Sequence, residues 1–112
     1  MLLRRTPQIS AADVAERLAR GDLQVVDVRE PAELAAGRVP GAAHVPLGQL
    51  PFKLGVVDRS RPVAFLCRSG SRSATATRSA ANAGYDAVNI AGGILAWARA
   101  GLPLTTDQRR TA

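Results

Sequence analysis

The most constraining feature of this sequence is Pro62-Val63-Ala64-Phe65-Leu66, an apolar run that stops at Cys67 and gives way to Arg68-Ser69-Gly70-Ser71. An unbroken run of this kind, closed by a polar turn, reads as a strand buried on both faces. Strands covered on both faces belong to parallel sheets with helices above and below. Leu23-Gln24-Val25-Val26-Asp27-Val28, a β-branched run typical of a buried strand, and Ala87-Val88-Asn89-Ile90 read as further strands. Ala42-Ala43-His44-Val45 is a shorter one, stopped by Pro46. Helical patterns lie between these runs. Ser10 with Asp13 resembles a capping box ahead of an apolar stripe of Ala12, Val14, Ala15 and Leu18, and Gly21 ends that helix. Glu30-Pro31-Ala32-Glu33-Leu34 opens a short helix with acids and a proline in its first turn, and Gly37 can close it. Helices are also predicted over residues 47–54, 71–83 and 93–100, the last two ended by Gly84 and Gly101. The fold class is therefore α/β, a central parallel sheet of about five strands with helices on both faces.

In such a sheet, ligands bind outside the carboxyl ends of the strands. Cys67 stands at one of those ends. The segment Cys67-Arg68-Ser69-Gly70-Ser71-Arg72-Ser73 joins the strand to a helix. A helix start leaves backbone N–H groups without partners and carries partial positive charge. A tight loop through Gly70 can turn successive N–H groups inward as an anion-binding nest. Arg68 and Arg72 add full positive charges, so the thiolate is favoured over the thiol. The bland alternative is that Cys67 is a small buried hydrophobe. Two arginines and three hydroxyls nearby argue against it, because an inert thiol gains nothing from them.

Length and charge set the remaining bounds. With 112 residues and 46% hydrophobic content, the chain suits one compact unit, placed at residues 1–104, with a polar tail over 105–112. A single cysteine cannot form an internal disulfide, which favours a reducing, cytoplasmic setting. No apolar run approaches the roughly 20 residues of a membrane span, and the start Met1-Leu2-Leu3-Arg4-Arg5 lacks a signal-peptide hydrophobic region. The net charge of +6 raises nucleic acid as a partner, but the arginines are scattered and aromatics make up only 4%, too few for a stacking platform. One Cys and one His offer no metal-ligand spacing. His44 is read as structural or at the rim of the site rather than as a general base. Trp97 is read as core, and Gly92-Gly93 as a helix-start turn rather than a phosphate cradle.

The motifs together resemble the rhodanese-like sulfurtransferases, in a small form with one domain. Asp27-Val28-Arg29-Glu30 with Glu33-Leu34 is similar to the family's first signature, and Gly37-Arg38-Val39-Pro40-Gly41-Ala42 with His44-Val45-Pro46-Leu47 to its second. Cys67 to Ser73 resembles the active-site loop, and Gly92-Gly93-Ile94, Trp97 and Gly101-Leu102-Pro103 resemble the C-terminal signature. Arg38 departs from the family, which often has histidine there. The resemblance implies a rhodanese-like fold and sulfur transfer without a cofactor. The Cys67 thiolate would take the outer sulfur of thiosulfate or a persulfide donor and become a persulfide. A thiophilic acceptor such as cyanide or a thiol, or a protein persulfide partner, would complete the exchange. Backbone N–H groups of Arg68, Ser69, Gly70, Ser71, Arg72 and Ser73 would hold the donor, and the two arginines would bind its charge. Asp27 and Arg29 are read as an internal ion pair or turn cap beside the site, since burying either charge alone is costly.

Two alternatives remain at this stage. A non-turnover binding or redox-sensing module of the same fold would keep Cys67 only as a sensor. A phosphatase is less compatible, because phosphatases of this fold carry a loop one residue longer, with arginine at the sixth position after cysteine, where Ser73 stands here. No membrane or nucleic-acid partner is expected, and the protein is expected to be a monomer or weak homodimer.

Overall fold

A computed structural model describes residues 5–106. Five parallel strands form its centre: β1 (Gln8–Ile9), β2 (Gln24–Asp27), β3 (Ala43–His44), β4 (Val63–Leu66) and β5 (Ala87–Ile90). Their spatial order is β1-β5-β4-β2-β3, so β4 lies in the middle, between β2 and β5. The register pairs Asp27 with Leu66 and Phe65 with Asn89, which brings the carboxyl ends of the three central strands level.

Four α-helices cover the sheet: α1 (Ala11–Arg20), α2 (Leu50–Lys53), α3 (Ser71–Asn82) and α4 (Gly93–Arg99). Alternate residues of each strand serve opposite faces. Val26, Val63, Phe65 and Ala87 pack with Leu50 of α2 and with Ala76 and Ala80 of α3. Val25, Ala64, Leu66 and Ile90 pack with Ala11 and Val14 of α1 and with Ile94 and Trp97 of α4. Every residue of β4 is buried, as its unbroken apolar run requires. Trp97 is core, and its indole N–H donates to the Pro103 carbonyl at 2.8 Å.

Local signals decide the helix ends. Ser10 caps α1 by accepting from the Asp13 N–H at 3.1 Å, and Gly21 closes it in the left-handed region. The segment opened by Pro31 is a 3-10 helix, Pro31–Ala36, with Glu33 reaching back to the Glu30 N–H at 2.9 Å. The single helix expected over 47–54 is instead three short turns, with α2 between 3-10 turns at Leu47–Gln49 and Leu54–Val56. Pro51 stands at the start of the α-helical turn, where its missing N–H costs nothing. The polar tail was expected from residue 105, yet the Thr105 backbone exchanges two hydrogen bonds of 2.9 Å with Arg38. The rest of that tail from 107 onward, and the first four residues of the chain, lie outside the described residues. Among those described, no helix is long and apolar enough to cross a membrane.

Candidate active site at the end of β4

The β4 strand delivers Cys67 to the centre of the sheet's carboxyl edge, and the chain then turns through Gly70 into α3. Gly70 has φ +113°, a conformation that glycine adopts without a Cβ clash. The turn directs its N–H at the Cys67 Sγ, 3.0 Å away. Ser73, on the first turn of α3 and fully buried, places its Oγ 3.2 Å from the same sulfur. Burial pushes the Cys67 thiol up, but hydrogen bonds from the Ser73 hydroxyl and from the backbone N–H groups of Ser73, Gly70 and Ser69 outweigh it. The net direction is below the ordinary thiol range. Cys67 thus ionises more readily than an ordinary cysteine, at the floor of a loop whose N–H groups converge on it.

The start of α4 locks the loop from the opposite side. The Ile94 and Leu95 N–H groups donate to the Cys67 and Arg68 carbonyls at 2.9 and 3.2 Å. Gly93 permits this approach. A Cβ there would run into the Cys67 and Arg68 backbone, and its φ of +59° already disfavours a side chain. The Gly92-Gly93 pair is therefore the turn that seats α4 against the reactive loop.

The two arginines of the loop have different situations. The Arg68 side chain is exposed and makes no hydrogen bond or ion pair among the described residues. It borders a cavity of about 360 Å³ whose wall includes Ile94, Leu95, Ala98 and Leu104. Arg72 is already engaged. Its Nη1 and Nη2 donate to the two Glu33 carboxylate oxygens at 2.7 and 2.8 Å. The Arg72 guanidinium holds the Glu33 carboxyl down at about 2, and the carboxylate in turn raises Arg72 above its usual value. Sequence reasoning took Arg72 as a free cation and Glu33 as a helix-start acid. The structure makes them one neutralised pair, so the lowering at Cys67 comes from hydrogen bonds rather than from arginine charge. The Ser69 and Ser71 side chains face solvent, and only the third hydroxyl, Ser73, meets the sulfur.

Asp27 and Arg29 sit at the end of β2, both buried, and are joined to each other. Arg29 Nη2 and Nε reach the Asp27 carboxylate at 2.8 and 3.1 Å. The remaining guanidinium N–H groups donate to the Glu33 carbonyl at 3.2 Å and the Gly37 carbonyl at 2.9 Å. The pair closes on itself and fastens the 3-10 segment carrying Glu33 to the sheet. His44 Nε2 lies 2.7 Å from the Arg29 carbonyl and takes its place in this frame. Among the described residues, no group of three or more His, Cys, Asp or Glu side chains is placed to hold a metal ion.

One neighbour of the site escaped the sequence reading. Asn89 of β5 is buried, with its Oδ1 2.5 Å from Ser73 Oγ and its Nδ2 donating to the Gly70 carbonyl at 3.0 Å. A signal for it exists: a polar side chain at an inward position of a buried strand must have a partner.

The Rhodanese-like domain matches residues 10–100. The chain belongs to the rhodanese-like family. A sulfurtransferase of Allochromatium vinosum is 39% identical over 103 residues, covering 90% of this chain and 96% of that relative. The YtwF protein of Bacillus subtilis is 37% identical over 91 residues, covering 80% of this chain and 88% of its own. A rhodanese-related protein from Thermoplasma volcanium superposes with a TM-score of 0.85 at 33% identity, over 90% of this chain and 99% of that one. Sulfur transfer is the general function that this rhodanese-like membership supports.

Proposed function

We propose that this protein is a transferase that accepts a sulfane sulfur on Cys67 from a small anionic donor and passes it to a thiophilic acceptor. The observation that carries the reading is the convergence of the Gly70 N–H and the Ser73 hydroxyl on the Cys67 sulfur. In the first step, the Cys67 thiolate attacks the outer sulfur of thiosulfate. The sulfur–sulfur bond of the donor breaks, sulfite leaves with the electron pair, and Cys67 becomes a persulfide. In the second step, cyanide or a thiolate attacks the terminal sulfur, and Cys67 leaves as thiolate, ready for another cycle. Protein and low-molecular-weight persulfides are donors of the same chemistry.

The backbone N–H groups from Arg68 to Ser73 supply the anion cradle, acting where negative charge develops. Arg68 provides the unpaired cation for the donor or acceptor at the mouth of the adjoining cavity, while Arg72 stays tethered to Glu33. Asp27 and Arg29 position the surrounding segments and take no chemical step. A free reactive thiol suits a reducing compartment such as the cytoplasm.

The test is a sulfur-transfer assay with thiosulfate, a small persulfide and a protein persulfide as donors, each with cyanide or a thiol as acceptor. Turnover with at least one pair, abolished in Cys67→Ser, is expected. Absence of turnover with every pair would assign the protein to non-turnover binding or redox sensing.

A further inference from the structure

Ser73 has one hydroxyl proton and two acceptors within reach. The Cys67 sulfur is 3.2 Å from Oγ, and the Asn89 Oδ1 is 2.5 Å away. The orientation of the Asn89 amide is fixed by its other end. The group on that side lies 3.0 Å from the Gly70 carbonyl, which can only accept, so it is the nitrogen. The same nitrogen donates to Gln8 Oε1 at 3.1 Å. The Asn89 oxygen therefore faces Ser73 and can only accept from it. While Cys67 is a thiol, all three groups are satisfied in one direction: the S–H donates to Ser73 Oγ, and the Oγ–H donates to Asn89. Once Cys67 loses its proton, the sulfur needs the Ser73 proton that Asn89 holds.

We propose that Asn89 is a positioning residue of the active site, which competes with the Cys67 sulfur for the Ser73 hydroxyl proton and so opposes ionisation of the thiol. Asn89 cannot itself take up a proton, so the proton released by Cys67 leaves to solvent. When the sulfur becomes anionic, the Ser73 hydroxyl turns from Asn89 toward it. The fixed donors to the sulfur, led by the Gly70 N–H, do not depend on this switch. The charged groups around the thiol are few. Arg68 and Arg72 come from the loop and α3, with Arg72 neutralised by Glu33, and the end of β2 brings the closed Asp27–Arg29 pair. Nothing charged is contributed by β5, where the lever is the Asn89 amide alone.

The inference concerns the ionisation of Cys67 and is tested without a sulfur donor, so its failure would leave the proposed sulfur transfer standing. The thiolate ultraviolet absorbance is titrated against pH in wild type, Asn89→Ala and Asn89→Val, with Cys67→Ser as the blank. Valine offers no acceptor, yet suits a strand position if alanine proves too disruptive. Freeing the Ser73 proton should raise the thiolate-to-thiol ratio at a given pH by about fivefold, the scale of one ordinary hydrogen bond. A residue that merely braces the loop would act in the opposite direction, because a looser loop presents its N–H groups less well. In a Ser73→Ala background the substitutions should change nothing further, since Asn89 acts through Ser73. An unchanged or lowered ratio in the folded Asn89 variants, or the same increase without Ser73, would overturn the inference.

Discussion

Replacing Glu33 by glutamine separates what the Glu33–Arg72 pair does for the fold from what it does to the site. The carboxylate meets Arg72 through two parallel hydrogen bonds of 2.7 and 2.8 Å, a geometry stronger than that of a typical surface pair. Its side chains remain 28% and 35% exposed, so solvent screens the attraction. The two considerations together place the cost of Glu33→Gln at about 1–2 kcal/mol. The pH dependence gives the sign. Glu33 has its carboxyl lowered from 4.5 to about 2 in the folded protein. A depressed carboxylate contributes stability that is fully present above the unfolded value and is lost as pH falls through the folded one. The difference between wild type and Glu33→Gln in urea melts should thus be full near neutrality, shrink below about pH 5 and vanish near pH 2. The same substitution releases the Arg72 guanidinium beside the reactive loop. Its charge becomes available to an anionic donor, and the KM for thiosulfate should fall by about three- to tenfold. Loss of stability with an unchanged or higher KM would refute the claim that Arg72 is held back from the donor. A stability difference that persists undiminished at pH 2 would refute the electrostatic origin of the pair's contribution.

Other perturbations follow from the same geometry. Asp27→Asn or Arg29→Met leaves one buried charge without its partner and should destabilise the protein by about 3–5 kcal/mol in urea melts, with the double variant recovering part of the loss. If either single substitution were neutral, the closed pair would not be holding the segment that carries Glu33. Gly93→Ala pushes a Cβ into the backbone of Cys67 and Arg68 and should reduce sulfur transfer by at least about tenfold, through displacement of the loop. Its thermal unfolding should shift down as well, and full activity would show that the α4 turn does not set the loop.

The extent of the sequence's information differs between the frame and the site. β4 could be read from Pro62–Leu66 because a continuous apolar run has few other uses in a chain this short, and β5 from the short, largely apolar Ala87–Ile90 between two glycine-ended helical patterns. By contrast, β1 consists of Gln8–Ile9 alone, and two residues carry no periodicity; its place in the sheet comes from pairing with β5. The segment after Pro46 was readable as helical but not as three separate turns, because hydrogen-bond type near Pro51 and Gly55 depends on packing rather than propensity. At the site, Cys67 and its loop were evident from local spacing. The Arg72 partner was not: Glu33 lies 39 residues earlier and has a sufficient local explanation as a helix-start acid. Asn89, 16 residues after Ser73, meets it only because α3 packs on the face of the sheet that β5 shares with β4.

The central claim is that Cys67 itself carries the sulfur. Intact-protein mass spectrometry after brief exposure to thiosulfate or a small persulfide tests it most directly. The account predicts a mass gain of one sulfur atom, located on Cys67 by fragmentation, absent in Cys67→Ser and removed by cyanide or a thiol. An unmodified wild-type protein after exposure to every donor, or an equal gain in Cys67→Ser, would contradict it.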